Sequence, residues 1–273
     1  MCNIENLLIY PFNAGVMPLL RSRKFYEKYK NIILCALKGS GLNSKDASET
    51  DGGEFVGITV SEDLEKCIDK CSGVLFIDSQ HIHAKEDEIQ KIINAAEKRE
   101  KIIMNIRDSN KNRSVTNKCN TNTGEVFGNV FRNVKIKIAN DLNYELTYGE
   151  LLNSEGLVDI TTPVVGIVGT GENTNKFAIQ VSIVEKLEST GYRVSWIGSN
   201  KMCELIGGHP FPQFMFENGT SDTEKVLLFN RYIKSLENNE NADIILIGVP
   251  GGIMPCSKNI IGDFGILSYK RPK

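Results

Sequence analysis

Four apolar runs of strand length, none of them alternating, limit what the first part of this chain can fold into. They are Asn6-Leu7-Leu8-Ile9-Tyr10, Asn31 to Leu37, Gly73-Val74-Leu75-Phe76-Ile77-Asp78 and Lys101-Ile102-Ile103-Met104-Asn105. A strand with one wet face alternates; a strand without a polar face is covered on both sides, as in a parallel sheet. Helical patterns separate the runs. Ile89, Ile92, Ile93 and Ala96 share one helix face behind the acidic turn Glu86-Asp87-Glu88, and Leu64, Cys67, Ile68 and Cys71 form a shorter stripe behind a capped start at Ser61. Strand and helix in alternation predict an α/β fold: a Rossmann-like open parallel sheet over residues 1–108.

Ligands of such sheets sit beyond the carboxyl ends of the strands. Pro11–Gly15, Lys38–Gly41 and Asp78–His83 fall there, and none carries the glycine fingerprint of a dinucleotide site. His81 and His83, two apart, would share a face on an extended chain, with Asp78 the nearby third donor for a metal. Solvated loop or helix-start histidines are the plainer reading. Cys67 and Cys71 are four apart but lie in an apolar stripe, so they read as core. No stoichiometric metal is expected.

Residues 109–160 read as a polar linker followed by short bridging strands. Ser109–Gly124 is nearly devoid of large apolar side chains, while Glu125–Phe131 and Asn133–Ile138 alternate in part. With 32 Lys and Arg against 34 Asp and Glu, the chain has no broad cationic field for nucleic acid or an anionic membrane. Its longest apolar runs fall far short of a membrane span. The seven cysteines are odd in number and scattered, which argues against a disulfide framework and for a reduced, cytoplasmic protein.

A second α/β domain is expected over residues 161–273. Thr162–Gly169 reads as a buried strand entering a glycine-rich turn, followed by a helix with Phe177, Val181, Val184 and Leu187, a stop at Gly191, and the strand Tyr192–Gly198. A loop in that position aims backbone N–H groups at an anion over the helix N-terminus. Its candidate binding residues are Gly169, Thr170, Gly171, Glu172, Asn173, Thr174, Asn175 and Lys176. The loop resembles the phosphate-binding loop of dethiobiotin-synthetase-like P-loop NTPases, with Gly169, Thr170 and Lys176 matching. Asn175 replaces the motif's second glycine, and Phe177 replaces the hydroxyl residue that binds Mg²⁺. The strand Asp243–Gly252 resembles the family's Glu-Gly-x-Gly-Gly strand end, with the acidic residue falling on Gly248. The resemblance implies a P-loop-like domain, reduced or truncated at its end, in which ordinary phosphoryl transfer lacks its metal-side groups. Three readings of the loop stay open: a connection inherited with the fold, an anion site without hydrolysis, and NTP turnover.

The GIVGTGENTNKF loop, the stretch Gly207–Phe214 and Ile247–Pro255 also resemble a clostridial family of peptide maturation-system proteins. That resemblance implies an accessory protein whose partners are a precursor peptide and its modifying enzyme, with no nucleic acid and no membrane, and with homo-oligomerisation left open. A nucleotide is the candidate ligand, and the alternative is an NTP-dependent ligase or transferase with a rearranged metal site. His209 lies among Phe211, Phe214, Met215 and Phe216, which either pack under their loop or receive a hydrophobic peptide. Ser221-Asp222 starts an amphipathic helix bearing Val226, Phe229, Ile233 and Leu236. Cys256 is the thiol best placed for reactivity, although a buried, inert thiol is its default.

Overall fold

The computed structural model describes residues 4–77, 86–105, 156–171, 174–216 and 221–252. The chain divides into two compact units, Met1–Phe131 and Arg132–Lys273. Of the polar linker and bridging strands read at 109–160, residues 109–155 lie outside the described residues, as do Asp78, His81, His83, Glu172, Asn173 and Cys256.

The N-terminal unit is a five-stranded parallel sheet. Its strands are β1 (Asn6–Tyr10), β2 (Asn31–Cys35), β3 (Val60–Ser61), β4 (Gly73–Phe76) and β5 (Ile102–Asn105), in the order β3-β2-β1-β4-β5. This is the Rossmann-like arrangement, with the order reversing at β1. The apolar runs have their cause here. Leu8 and Tyr10 on one face of β1 pack with Cys35, Val74 and Phe76 against α3 (Leu64–Lys70) and α4 (Glu86–Lys98), while Leu7 and Ile9 on the other face are equally buried. Ile89, Ile92, Ile93 and Ala96 of α4 all enter this core, as do Cys67, Ile68 and Cys71. The cap of α3 falls two residues later than the sequence suggests. Asp63 accepts from the Lys66 amide, and Ser61 instead braces Asp63.

Two short helices, α1 (Met17–Leu20) and α2 (Arg23–Lys28), follow β1. The long connection from β2 to β3 is tied down by two carboxylates. Asp46 accepts from the amides of Ser48, Val56 and Gly57, and Asp51 meets the Arg21 guanidinium at 3.0 Å.

The C-terminal unit is a parallel sheet of β6 (Val164–Ile167), β7 (Val194–Gly198), β8 (His209–Pro210) and β9 (Ile244–Gly248), in the order β6-β9-β7-β8. Helix α5 (Lys176–Ser189) connects β6 to β7, and α6 (Asp222–Glu240) precedes β9. The stretch read as a buried strand at Thr162–Gly169 is only partly buried: Val165 and Val168 are 42% and 40% exposed, and among the described residues β6 has a neighbouring strand, β9, on one side alone. Ser221 and Glu224 form a reciprocal capping box on α6, whose Tyr232, Ile233 and Leu236 pack on Ile245 and Ile247 of β9.

One carboxylate joins α6 to the entrance of β6. Glu237 Oε1 accepts from the amides of Thr161 and Thr162 at 2.7 and 2.6 Å and from the Thr161 hydroxyl at 2.9 Å. Burial pushes its pKa up, but the Lys234 ammonium and these donors outweigh burial and hold it at about 2. A carboxylate lowered from 4.5 stabilises the fold fully above that pH, and the contribution fades as pH falls toward about 2. Glu237→Ala leaves the Thr161 and Thr162 donors and the Lys234 ammonium without their acceptor. It is expected to destabilise by about 2–4 kcal/mol at neutral pH, and denaturant titrations of the variant should show a shallower decline from pH 5 to pH 2 than the unaltered chain.

Candidate functional site

The glycine-rich connection between β6 and α5 is built around one ammonium group. Lys176 opens the helix and is only 8% exposed. Its Nζ donates to the carbonyl of Gly171 at 2.8 Å and to that of Gly251 at 2.7 Å, with the Thr174 hydroxyl at 3.4 Å. Thr174 in turn donates to Gly171 O at 3.2 Å. Gly251 lies just past β9, so the lysine binds the loop to the end of a different strand. A side chain on Gly169 would have its Cβ 2.2 Å from the Thr174 hydroxyl and 2.9 Å from Lys176 Nζ. One on Gly252 would meet Gly171 Cα at 2.6 Å. Only glycine permits the loop, the ammonium and the strand end to come this close.

Asn175 explains how the loop survives the loss of its second glycine. Its backbone is left-handed, φ 57° and ψ 21°, where a glycine meets no Cβ penalty. Asparagine is among the few other residues that adopt this conformation readily. The turn into α5 is thereby kept with a different side chain.

The metal-side positions have changed their occupants. Phe177 is 8% exposed and packs as a core residue where the motif places a hydroxyl. Gln180, one turn further along α5, is fully buried. Its Nε2 donates to Ile197 O at 2.9 Å, and its Oε1 accepts from the amide and hydroxyl of Ser199 at 3.0 and 3.2 Å. A Cβ on Gly248 would stand 2.0 Å from that Oε1. Gln180 thus fills the space into which an acidic side chain at 248 would project, and every polar atom of its amide that points inward is engaged. Mg²⁺ ligation of the NTPase kind does not fit these residues.

Of the eight loop residues singled out by sequence, the structure brings together Gly169, Thr170, Gly171, Thr174, Asn175 and Lys176. Glu172 and Asn173 lie outside the described residues. Gln180 and the carbonyl of Gly251 belong to the same constellation and were missed. Gln180 carried a signal, a polar residue on the apolar face of α5, whereas Gly251 takes part through its backbone alone.

The His209 segment is organised differently. His209 lies in β8, and its Nε2 pairs with Glu240 at the end of α6 at 2.5 Å. Gly208 sits against the buried Trp196 indole, 2.6 Å from a Cβ position. Phe211 and Met215 belong to the core, with Phe211 stacked on Phe229 at 5.1 Å. Phe211, Phe214 and Met215 pack under their own loop, and the side chain of Phe216 lies outside the described residues. Among the described residues no group of three or more His, Cys, Asp and Glu side chains could hold a metal ion, and no helix is long and apolar enough to cross a membrane.

The fold has a solved counterpart. The chain is similar to the crystal structure of a DUF1611 family protein from Anabaena variabilis ATCC 29413, with a TM-score of 0.54 and 11% identity over 93% of this chain and 68% of that one. No family model and no curated protein matches the sequence. At this identity the likeness is one of fold, a Rossmann-like unit followed by a second α/β unit.

The packing of Gln180 against position 248 makes a quantitative expectation. Gly248→Ala should destabilise by about 1–3 kcal/mol, as overpacking does, and Gln180→Ala by a similar amount through its orphaned partners. The double variant should be less destabilised than the sum of the singles by about 1 kcal/mol or more. Strict additivity in denaturant unfolding would contradict the steric conflict.

Proposed function

We propose that this chain is an accessory protein of a peptide (natural-product) maturation system, operating in the cytoplasm. In this reading its degenerate Walker A loop, Gly169–Lys176, binds a nucleotide or another anion without ordinary NTP hydrolysis. The observation that carries the reading is the setting of Lys176. Its ammonium lies nearly buried at the first position of a 14-residue helix, where the macrodipole disfavours a cation. The carbonyls of Gly171 and Gly251 are among the groups that compensate it. A phosphate or carboxylate arriving over the loop meets both the ammonium and the helix N-terminus with favourable charge, and takes the place of those carbonyls.

The same site disfavours turnover. Metal ions bridge and neutralise the β- and γ-phosphates in ordinary phosphoryl transfer. Here Phe177 is core, and Gln180 fills the space beside Gly248. What remains is a place to hold an anion, rather than one to polarise it for attack.

The biological setting rests on the resemblance of the loop, of Gly207–Phe214 and of Ile247–Pro255 to peptide maturation-system proteins. Cys35, Cys67, Cys71 and Cys203 are buried free thiols, which supports a reducing compartment.

Calorimetry with ADP and with pyrophosphate, both in EDTA, tests the reading. Binding is expected without Mg²⁺, and Lys176→Ala should weaken it by about 1.5–3 kcal/mol, the scale of a charged hydrogen bond. The variant should also lose stability, because the link between Gly171 and Gly251 goes with the ammonium. Absence of binding at millimolar ligand would leave the loop a connection inherited with the fold. Mg²⁺-dependent release of phosphate from ATP, abolished by Lys176→Ala, would favour the ligase or transferase reading.

A further inference from the structure

Three thiols meet in the core of the N-terminal unit, and two of them are in contact. Cys35 ends β2, and the register pairs it with Ser61 of β3, so the two side chains leave the sheet on one face. α3 lies over that face, with Cys67 in the same core cluster as Cys35. The Cys67 sulfur takes a hydrogen bond from both Cys35 and Ser61. Ser61 Oγ already accepts from the Asp63 amide at 3.0 Å, which leaves its hydroxyl proton for Cys67. The Cys35 thiol is the other donor, with the Ala36 carbonyl at 3.7 Å its weaker alternative. Cys71, one turn beyond Cys67, is turned aside, and its thiol donates to the Ile68 carbonyl at 3.3 Å.

Two donors on one sulfur favour its thiolate. The hydrogen bond from Cys35 lowers the Cys67 pKa against the effect of burial, with Ser61 and Lys70 acting in the same sense and Asp63 opposed. The same contact raises the Cys35 pKa, and burial, Asp63 and Glu62 add to it. One proton is therefore held between two sulfurs of unequal acidity, with Cys67 the nucleophile.

Access is unequal too. Cys67, 4% exposed, lines an open trough of about 490 Å³ together with Ile33, Ser61, Lys66 and Lys70, whereas Cys35 is fully buried. A molecule the size of hydrogen peroxide reaches the first sulfur from the trough and not the second. A thiol that forms its thiolate readily, with a second thiol in contact behind it, is the arrangement in which oxidation ends in a reversible disulfide.

We propose that Cys67 and Cys35 form a redox site, in which hydrogen peroxide oxidises Cys67 and Cys35 resolves the product as a disulfide between α3 and β2. The Cys67 thiolate attacks one peroxide oxygen. An S–O bond forms, the O–O bond breaks, and the departing hydroxide takes up the proton lost by the thiol and leaves as water. Sulfur gives up two electrons and the peroxide gains them. The Cys35 sulfur then attacks the sulfenic sulfur of Cys67. The S–S bond forms, the S–O bond breaks, and hydroxide leaves with the Cys35 proton as a second water. A dithiol reductant restores both thiols, its own sulfurs ending as a disulfide. The inference uses the N-terminal unit alone, so it stands or falls independently of the anion site.

The test uses the full chain, reduced with dithiothreitol, freed of the reductant and exposed to hydrogen peroxide at neutral pH. Alkylation of the remaining thiols and a tryptic peptide map by mass spectrometry then locate the loss. Trypsin cuts after Lys66 and Lys70, so Cys67 and Cys71 fall in different peptides and Cys35 in a third. The Cys35 and Cys67 peptides should appear joined, and dithiothreitol should release them. In Cys35→Ser the Cys67 sulfenic acid has no resolving thiol and should be trapped by dimedone, whereas Cys67→Ser should give no dimedone adduct at Cys35. The rate of oxidation should have its pH midpoint below about 8.5, the value of a free thiol. Cys35 and Cys67 both still alkylated after excess peroxide would overturn the proposal, and would do so on the unaltered protein even where a variant fails to fold. A Cys67 link to any cysteine other than Cys35, a joined pair that forms only in denaturant, or a midpoint at or above the free-thiol value would overturn it as well.

Discussion

A single buried ammonium organises the C-terminal unit. Lys176 is donor to Gly171 on one side and Gly251 on the other, so one charge holds the glycine-rich loop, the start of α5 and the end of β9 together. The glycines around it follow from that clasp. Gly169 and Gly252 sit where any side chain would strike Thr174, Lys176 or Gly171. Unpairing this ammonium would strand it beside a helix N-terminus, the end that repels a cation.

The second constraint is a trade between a helix and a strand. Gln180 occupies the space that a side chain at 248 would need, and its amide is spent on Ile197 and Ser199. Neutral hydrogen bonds tie α5 to the end of β7, and the same amide packs against Gly248 at the end of β9, where a carboxylate and a metal would otherwise carry the link. Neutral amide bonds need no ion to stay satisfied. The loop therefore keeps its shape with groups of the chain itself.

Most of the fold was legible in the sequence because both faces of β1 and β4, and of the second half of β2, are covered, which writes unbroken apolar runs such as Leu7-Leu8-Ile9. The helix faces at Ile89–Ala96 and Val181–Val184 were legible for the same reason. Shorter elements were not. β3 and β8 are two residues each, too brief for any period to show. β6 read as buried because Val164, Val165 and Ile167 are apolar, although its place at the edge of the sheet among the described residues is set by topology, not composition. At the candidate site, the left-handed Asn175 and the lysine at 176 were visible as a loop motif. The carbonyl of Gly251 was not, because a backbone acceptor has no residue type to betray it.

The most direct test of the central claim is an amide-resolved NMR titration of the ¹⁵N-labelled chain with pyrophosphate in EDTA. If an anion takes over from the carbonyls at Lys176, the amides of Gly169, Thr170, Gly171 and Gly251 should shift together and saturate along one curve. Those of β1 and β2 should stay still. Silence at the loop with millimolar pyrophosphate, or a response that appears only with Mg²⁺ and is accompanied by cleavage of added ATP, would contradict an anion site that works without the metal.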